Sequence, residues 1–313
     1  MMYVCSIDFV GSCLSLTRCI KETIVSNQTI LFIWHLMIRC PMGKFGRSWQ
    51  LMKTSLGVLR KDKEIMIFPI LSFVASAIIL VSFFIGFYFL GLPSIETSLW
   101  LWAVLTILIY FVLFFIVIFF NTAIIGCAKI RLNGGDPTVA DGFRIAGQNI
   151  GRILIWALIS ATIGMILQAI RERAGWAGKI IAGIIGFAWT YVTFFIIPVL
   201  IFEKKGITPS IRRSASLFKQ TWGETIIGSF GFGIIFFLLA LLGIIPIALG
   251  ALLGSTTGIV IGVIIAFFYW AIIGVVTSAT NAIYVAAMYQ YATKKELPSD
   301  FDPSLIPPPV SGF

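Results

Sequence analysis

The sequence predicts an all-α membrane protein: a bundle of about six transmembrane helices in three repeats of an amphipathic interfacial helix followed by a transmembrane hairpin. Three observations lead there. Charged residues are scarce, long stretches carry none, and the basic residues gather beside alternate apolar stretches. Hydrophobic residues make up 59% of the 313 and charged ones 12%, against about 25% charged in soluble domains. The mean hydropathy is +1.01. A water-soluble fold of this size would have too few charges to cover its outside, whereas lipid solvates an apolar exterior directly.

No charge interrupts residues 65–95, enough for one span of about 20 residues, and Pro69 sits near its entrance, where a missing N–H costs little. Residues 97–128 supply the second span, and the Gly91-Leu92-Pro93-Ser94 turn makes the pair a hairpin. Residues 153–170 form the third and shortest span, rich in small residues, and 180–202 the fourth. The charge-free run 225–293 is too long for one helix. Gly243, Pro246, Gly250, Gly254 and the Ser255-Thr256-Thr257-Gly258 cluster divide it into spans at about 226–249 and 259–292.

The net charge of +10 is concentrated on one side of these spans. Lys44, Arg47, Lys53, Arg60, Lys61 and Lys63 precede the first, Lys129, Arg131, Arg144 and Arg152 lie between the second and third, and Lys204, Lys205, Arg212, Arg213 and Lys219 precede the fifth. The opposite side has Arg171, Arg173 and Lys179, offset by Glu172 and Glu96. This asymmetry predicts a cell-membrane protein with both termini cytoplasmic. It favours membrane lipids, anionic ones at the cytoplasmic face above all, over nucleic acid as partners.

Before alternate spans, apolar residues recur at steps of three and four: Phe45, Trp49, Met52, Leu56 and Leu59; then Val139, Phe143, Ala146, Ile150 and Ile153; then Ile211, Ala215, Phe218 and Trp222. Each set is one stripe of a 3.6-residue helix with polar and cationic residues on its other faces. Asp136-Pro137-Thr138 and Thr208-Pro209-Ser210 open two of them with a proline and capping residues. Such helices are expected along a membrane surface, or else as ordinary short connections.

The chain divides into an N-terminal extension over 1–42, a six-helix transmembrane domain over 43–295, and a Pro-rich cytoplasmic tail over 296–313. The extension shows no signal-peptide order, and its 29–38 apolar run is too short to span. It is expected either to be a loose extension or to precede the true start of the module at Met42.

The stretches FGRSWQLMKTSLGVLRKDKEIMIFPILS, RLNGGDPTVADGFRIAGQNIGRI, IRRSASLFKQTWGETIIG and YQYATKKELPSDFDP resemble a family of prokaryotic multi-pass membrane proteins of unknown function. The likeness covers about 45–303; residues 1–40 depart from it. It implies a membrane location and carries over no catalytic residue.

Reactive chemistry is sparse. His35 is the single histidine and lies in the extension. Cys5, Cys13, Cys19 and Cys40 match no metal spacing, and Cys127 ends an apolar run. Gly142, Gly147 and Gly151 lack the preceding strand of a phosphate loop, and Glu224 at the foot of the fifth span reads as a helix-start residue. No catalytic, cofactor-binding or metal-binding residue is therefore assigned, and no cofactor is expected. Asn121, Pro198 and Asn281 mark comparable positions in the second helix of each hairpin. Interhelical hydrogen bonding explains the two asparagines more simply than a substrate site does. Gly178, Gly183 and Gly186, then Gly228, Ser229, Gly231 and Gly233, then Gly258, Gly262 and Ala266, provide seams for packing or for a homo-oligomer or protein partner.

The leading functional reading is a non-enzymatic membrane-organising, lipid- or protein-binding module. The alternative is a transporter or channel for a small or lipidic molecule. A polar cavity at mid-span near Asn121 and Asn281 would favour transport; a dry core with exposed cationic helices would favour the first.

Overall fold

The computed structural model describes residues 44–89, 99–173, 175–252 and 254–294. The 1–42 extension, the 91–94 turn and the 296–313 tail lie outside the described residues, as do the side chains of Phe45, Trp49, Trp222 and Glu224. All regular structure among the described residues is helical: α1 Lys44–Lys61, α2 Ile67–Phe89, α3 Leu99–Leu132, α4 Val139–Gln148, α5 Ile150–Arg173, α6 Gly175–Val192, α7 Ile207–Gln220, α8 Trp222–Leu242, α9 Ile245–Leu252 and α10 Thr256–Lys294. Six stretches are long and apolar enough to cross a membrane: Lys63–Gly86, Val104–Leu132, Ile150–Arg173, Gly175–Glu203, Gly231–Leu252 and Thr256–Lys294. The apolar runs thus become spans close to where the charges bound them, and the third gains a turn's length because Arg152 and Arg171 continue its helix.

The three short amphipathic helices form. α4 begins at a capping box in which Asp141 N–H donates to Thr138 Oγ1 while the Asp141 carboxylate accepts from Thr138 N–H, satisfying two donors that a helix start leaves free. The Thr138 hydroxyl, its N–H and the Arg144 guanidinium hold the Asp141 carboxyl below its usual range. α7 starts at Gly206, with Pro209 in the first turn where its missing N–H leaves no bond broken.

The described part of the α1 stripe turns inward onto the bundle. On α4, Gly142 and Ala146 are buried while Phe143, and Ile150 at the start of α5, stay exposed; on α7, Ser210, Ser214 and Leu217 are buried with Ile211 and Phe218 half-buried. On α1, Met52 and Leu59 are buried and Leu56 packs on the core, while Lys53, Arg60 and Lys61 are exposed. α1 lies against α8 and α10, α4 against α3, and α7 chiefly against α6. Each short helix therefore rests on a hairpin other than the one it precedes. The contact of α4 with the first hairpin is close: a Cβ on Gly142 would collide with the Phe68 ring and Cys127 Sγ.

The buried core gathers at the basic end of the spans. It takes Phe68 from α2, Ala123 to Ala128 from α3, Ile153 and Trp156 from α5, and Ala282 to Tyr289 from α10, closed by Leu217 of α7 and Val58 of α1. Asp62, buried there, accepts from Arg131 Nε at 2.8 Å. Towards the other end the helices present exposed Ile, Leu, Val and Phe, the expected surface for contact with lipid.

The fifth span is broken. Gly243 and Ile244 N–H turn back to Ala240 and Leu241 carbonyls, and Pro246 has no N–H to give. α10 covers the defect: Tyr269 OH donates to Leu239 O at 2.7 Å and Trp270 Nε1 to Ala240 O at 2.9 Å. Beyond it, α9 and α10 touch backbone to backbone, since a Cβ on Gly250 would meet Gly258 O and one on Gly262 would meet Pro246 O. The Gly258–Gly262–Ala266 seam is thus used within the chain. Reversible unfolding in mixed micelles should show Gly262→Leu losing about 3 kcal/mol by overpacking, and Tyr269→Phe about 1 kcal/mol for the carbonyl left open.

Candidate functional site

The fourth span is broken as well, which the apolar run 180–202 does not announce. α6 ends at Val192, residues 193–195 form turns, and the chain resumes as the short helix Ile196–Pro198 and the π-turn Val199–Glu203. Phe194 N–H turns to Tyr191 O and Ile196 N–H to Thr193 O, so Val192 O loses its helical donor. Pro198 can offer nothing to Phe194 O. Phe195 N–H is rescued from outside: it donates to Ser214 Oγ of α7 at 3.0 Å, both groups buried.

Beside this break lies a groove of about 410 Å³ bounded by α3, α5, the 189–197 segment and α10. Its polar lining is Asn121, Ser160, Thr190, Thr193 and Asn281, and its apolar lining includes Phe114, Ile163, Leu167 and Phe194. Trp156 and Trp189 stack in its wall, centroids 5.8 Å apart and planes 21° apart. At 1.5 Å per residue, Asn121 stands about 16 Å before the end of α3 and Asn281 about 20 Å before the end of α10.

Neither asparagine makes the interhelical hydrogen bond expected of it. Among the described residues no partner faces either amide, although neighbouring hydroxyls are engaged: Thr122 with Ile118 O and Thr280 with Val276 O. Asn121 is half-buried and Asn281 exposed, and both amides line the groove. α3 and α10 pack directly on each other, yet the two asparagines share the lining of the groove with α5 and the 193–197 segment rather than a hydrogen bond. The third marked residue, Pro198, is buried and directly follows the lining residue Ile197. Ser160, Thr190, Thr193 and the tryptophan pair went unremarked in the sequence; the i, i+3 spacing of the two threonines and the small residues of the third span were the available signals.

The floor of the groove is the dry core at the basic end. There Glu203, closing the π-turn, accepts from Arg213 Nε at 3.0 Å, from Lys205 Nζ and from Tyr289 OH at 3.3 Å. Lys129 Nζ stands 3.5 Å over the Phe202 ring. These contacts fasten the end of the fourth span to α3, α7 and α10. A second, shallower cleft of about 370 Å³ lies between α6 and α8, beside Tyr191 and Ser229. The described residues contain no cluster of His, Cys, Asp or Glu able to hold a metal ion.

A family described as a family of unknown function, DUF6159, matches residues 100–297, and the chain belongs to it. The match runs from the start of the second span past the end of α10, inside the 45–303 range of the resemblance. No curated protein matches the chain.

If the two amides serve a ligand rather than the bundle, removing them should not weaken the fold. Asn121→Leu and Asn281→Leu are expected to change unfolding free energy by less than about 0.5 kcal/mol or to raise it, whereas Ser214→Ala, which strands the Phe195 N–H, should cost about 1–3 kcal/mol. The same micelle titration measures all three.

Proposed function

We propose that this member of the family is a multi-pass cell-membrane protein, both termini cytoplasmic, that binds a lipidic or small amphiphilic molecule within the bilayer as a non-enzymatic membrane-organising module. The groove carries this reading. Two amides without protein partners, beside a broken span, are costly features for a structure that only needs to pack. Apolar walls with a few convergent polar groups are the usual composition of a small-molecule site, and about 410 Å³ falls within the roughly 300–1,000 Å³ of such sites. The lining supplies amides, hydroxyls and indoles, groups that hold a molecule, and no carboxylate, imidazole or thiol to act on it.

A second reading, transport of such a molecule, is favoured by two observations: the groove with its polar groups reaches Asn121 and Asn281, and discontinuous helices with freed backbone carbonyls line the sites of many transporters. The break at 193–195 is of that kind.

The basic end supports the orientation and a role for anionic lipids. The short helices and the segment after α1 would meet the cytoplasmic leaflet through exposed cations such as Lys53, Arg60, Lys63, Arg144 and Arg212, each worth about 1 kcal/mol near an anionic surface and screened by salt. On this reading the three short helices with their hairpins are three equivalent units.

Two measurements test the proposal. In a cysteine-free background, single cysteines at Gly134 and Arg212 should be protected from an external impermeant thiol reagent, and those at Ala174 and Ser255 should react; labelling of Arg212 and Ser255 from the same side rules the orientation out. Native mass spectrometry of the purified full chain should show one small amphiphile retained per chain, and Ser160→Trp, which fills the groove, should remove most of it. Equal retention by both proteins would place the bound molecule elsewhere and defeat the groove reading.

A further inference from the structure

We infer that the ligand of the groove is an uncharged amphiphile whose head carries at least one hydroxyl or N–H donor together with an acceptor, with a single chain or flat ring system lying against Trp156 and Trp189. This rests on the binding role proposed above and specifies its ligand.

The first support is electrostatic. Among the described residues the groove lining contains no charged side chain. Lys129 and Glu203 are engaged with Phe202 and with Arg213, Lys205 and Tyr289 at the basic end, and the Arg171 guanidinium stands beside Gly186 and Leu167 towards the other end without being part of the lining. A carboxylate, phosphate or ammonium drawn into the groove would lose its hydration without gaining a counter-charge, so charged heads are rejected.

The second support is the donor and acceptor count. Each amide offers two N–H donors and a carbonyl acceptor, and both are unpartnered among the described residues. The threonines differ. Thr190 Oγ1 donates to Gly186 O at 2.8 Å and Thr193 Oγ1 to Trp189 O at 2.7 Å, which spends their only hydrogens and leaves each oxygen able only to accept. A head with acceptors alone, such as a simple ester or ketone, would satisfy the amide N–H groups but leave these oxygens unmet. A head with an O–H or N–H as well serves both sets.

The third support is shape. The groove is open on its side, for Asn281 is exposed while lining it. A chain can therefore run out between α3, α5 and α10 into the surrounding apolar phase, and only the head and adjoining segment need fit inside. The stacked indoles present a flat apolar wall for that segment.

The test uses the full-length protein in nanodiscs of neutral lipid and four photoactivatable probes of equal chain length. They are a monoacylglycerol, a methyl ester, an alkyl phosphate and an alkyl trimethylammonium. After irradiation, labelled peptides are mapped by mass spectrometry. The monoacylglycerol should label peptides of α3, α5 and α10 bordering the groove at least tenfold more than either charged probe and several-fold more than the methyl ester. Asn121→Leu/Asn281→Leu should reduce its labelling towards that of the methyl ester. Groove labelling by all probes alike, or preference for the phosphate or ammonium, would overturn the uncharged-donor assignment while leaving a binding groove in place. Absence of groove labelling by every probe would remove the binding role itself.

Discussion

A backbone in an apolar phase must find partners for its own N–H and C=O groups, because no solvent will supply them. Continuous helices meet that demand by themselves. This chain interrupts two of its six spans, and much of its tertiary structure answers the interruptions. At 243–244 the answer comes from α10, whose Tyr269 and Trp270 reach carbonyls of α8. At 193–195 it comes from α7, whose Ser214 accepts the Phe195 N–H. The amphipathic helix α7 is thereby more than a connection between hairpins. It enters the bundle far enough to complete a hydrogen bond that the fourth span cannot make alone, and Arg213 on the same helix fastens the span's end through Glu203.

The two repairs leave different surroundings. In the fifth span the chain beyond the break folds against α10 through glycine, backbone on backbone, and the space is closed. In the fourth span the repair is made from the basic end only. The other side of the break faces α3, α5 and α10 across the groove, with the threonines, the tryptophan stack and both asparagines around it. A rigid floor accompanies this opening: Ala123, Ile124, Ile283 and Tyr284 are almost wholly buried just below the asparagines. The opening is consequently a shaped feature of a well-packed bundle, held by its floor and by the clamp on Glu203.

The sequence made the spans, their number and the short amphipathic helices legible, because charge spacing and apolar periodicity report directly on burial in lipid and on helix faces. It did not make legible which way the stripes face. Met52, Leu59 and Ala146 have the same pattern whether they meet lipid or a neighbouring hairpin, and only tertiary packing chose the second. The break in the fourth span was hidden for a related reason. Thr-Phe-Phe-Ile-Ile-Pro is as apolar as a continuous helix, and a proline tolerated within a span does not reveal that the defect falls three to five residues before it. Asn121 and Asn281 stood out as polar residues inside apolar runs. Whether they pair could not be inferred from position, since α3 and α10 pack on each other and still leave both amides without a bond among the described residues.

The state of those amides bears most directly on what the groove is for. An unsatisfied polar group away from water costs about 1–3 kcal/mol; Asn121 is half-buried and Asn281 exposed on the apolar surface, so in lipid neither amide would have water for a partner. Leucine in either place would fit the hydrophobic character of α3 and α10 better. The surrounding chain shows how readily it satisfies such groups elsewhere: Thr122, Thr162, Thr277 and Thr280 each return their hydroxyl to a carbonyl one turn back. Asparagine amides cannot be silenced so simply, because they carry two donors and an acceptor at the end of a longer arm. Placed on two helices and lining the same groove, they would, on the proposed reading, be completed by something outside the chain. On the binding reading proposed above, the hydrogen bonds left unmade in the free protein would be available to a ligand, and their cost to the bundle would be offset on binding.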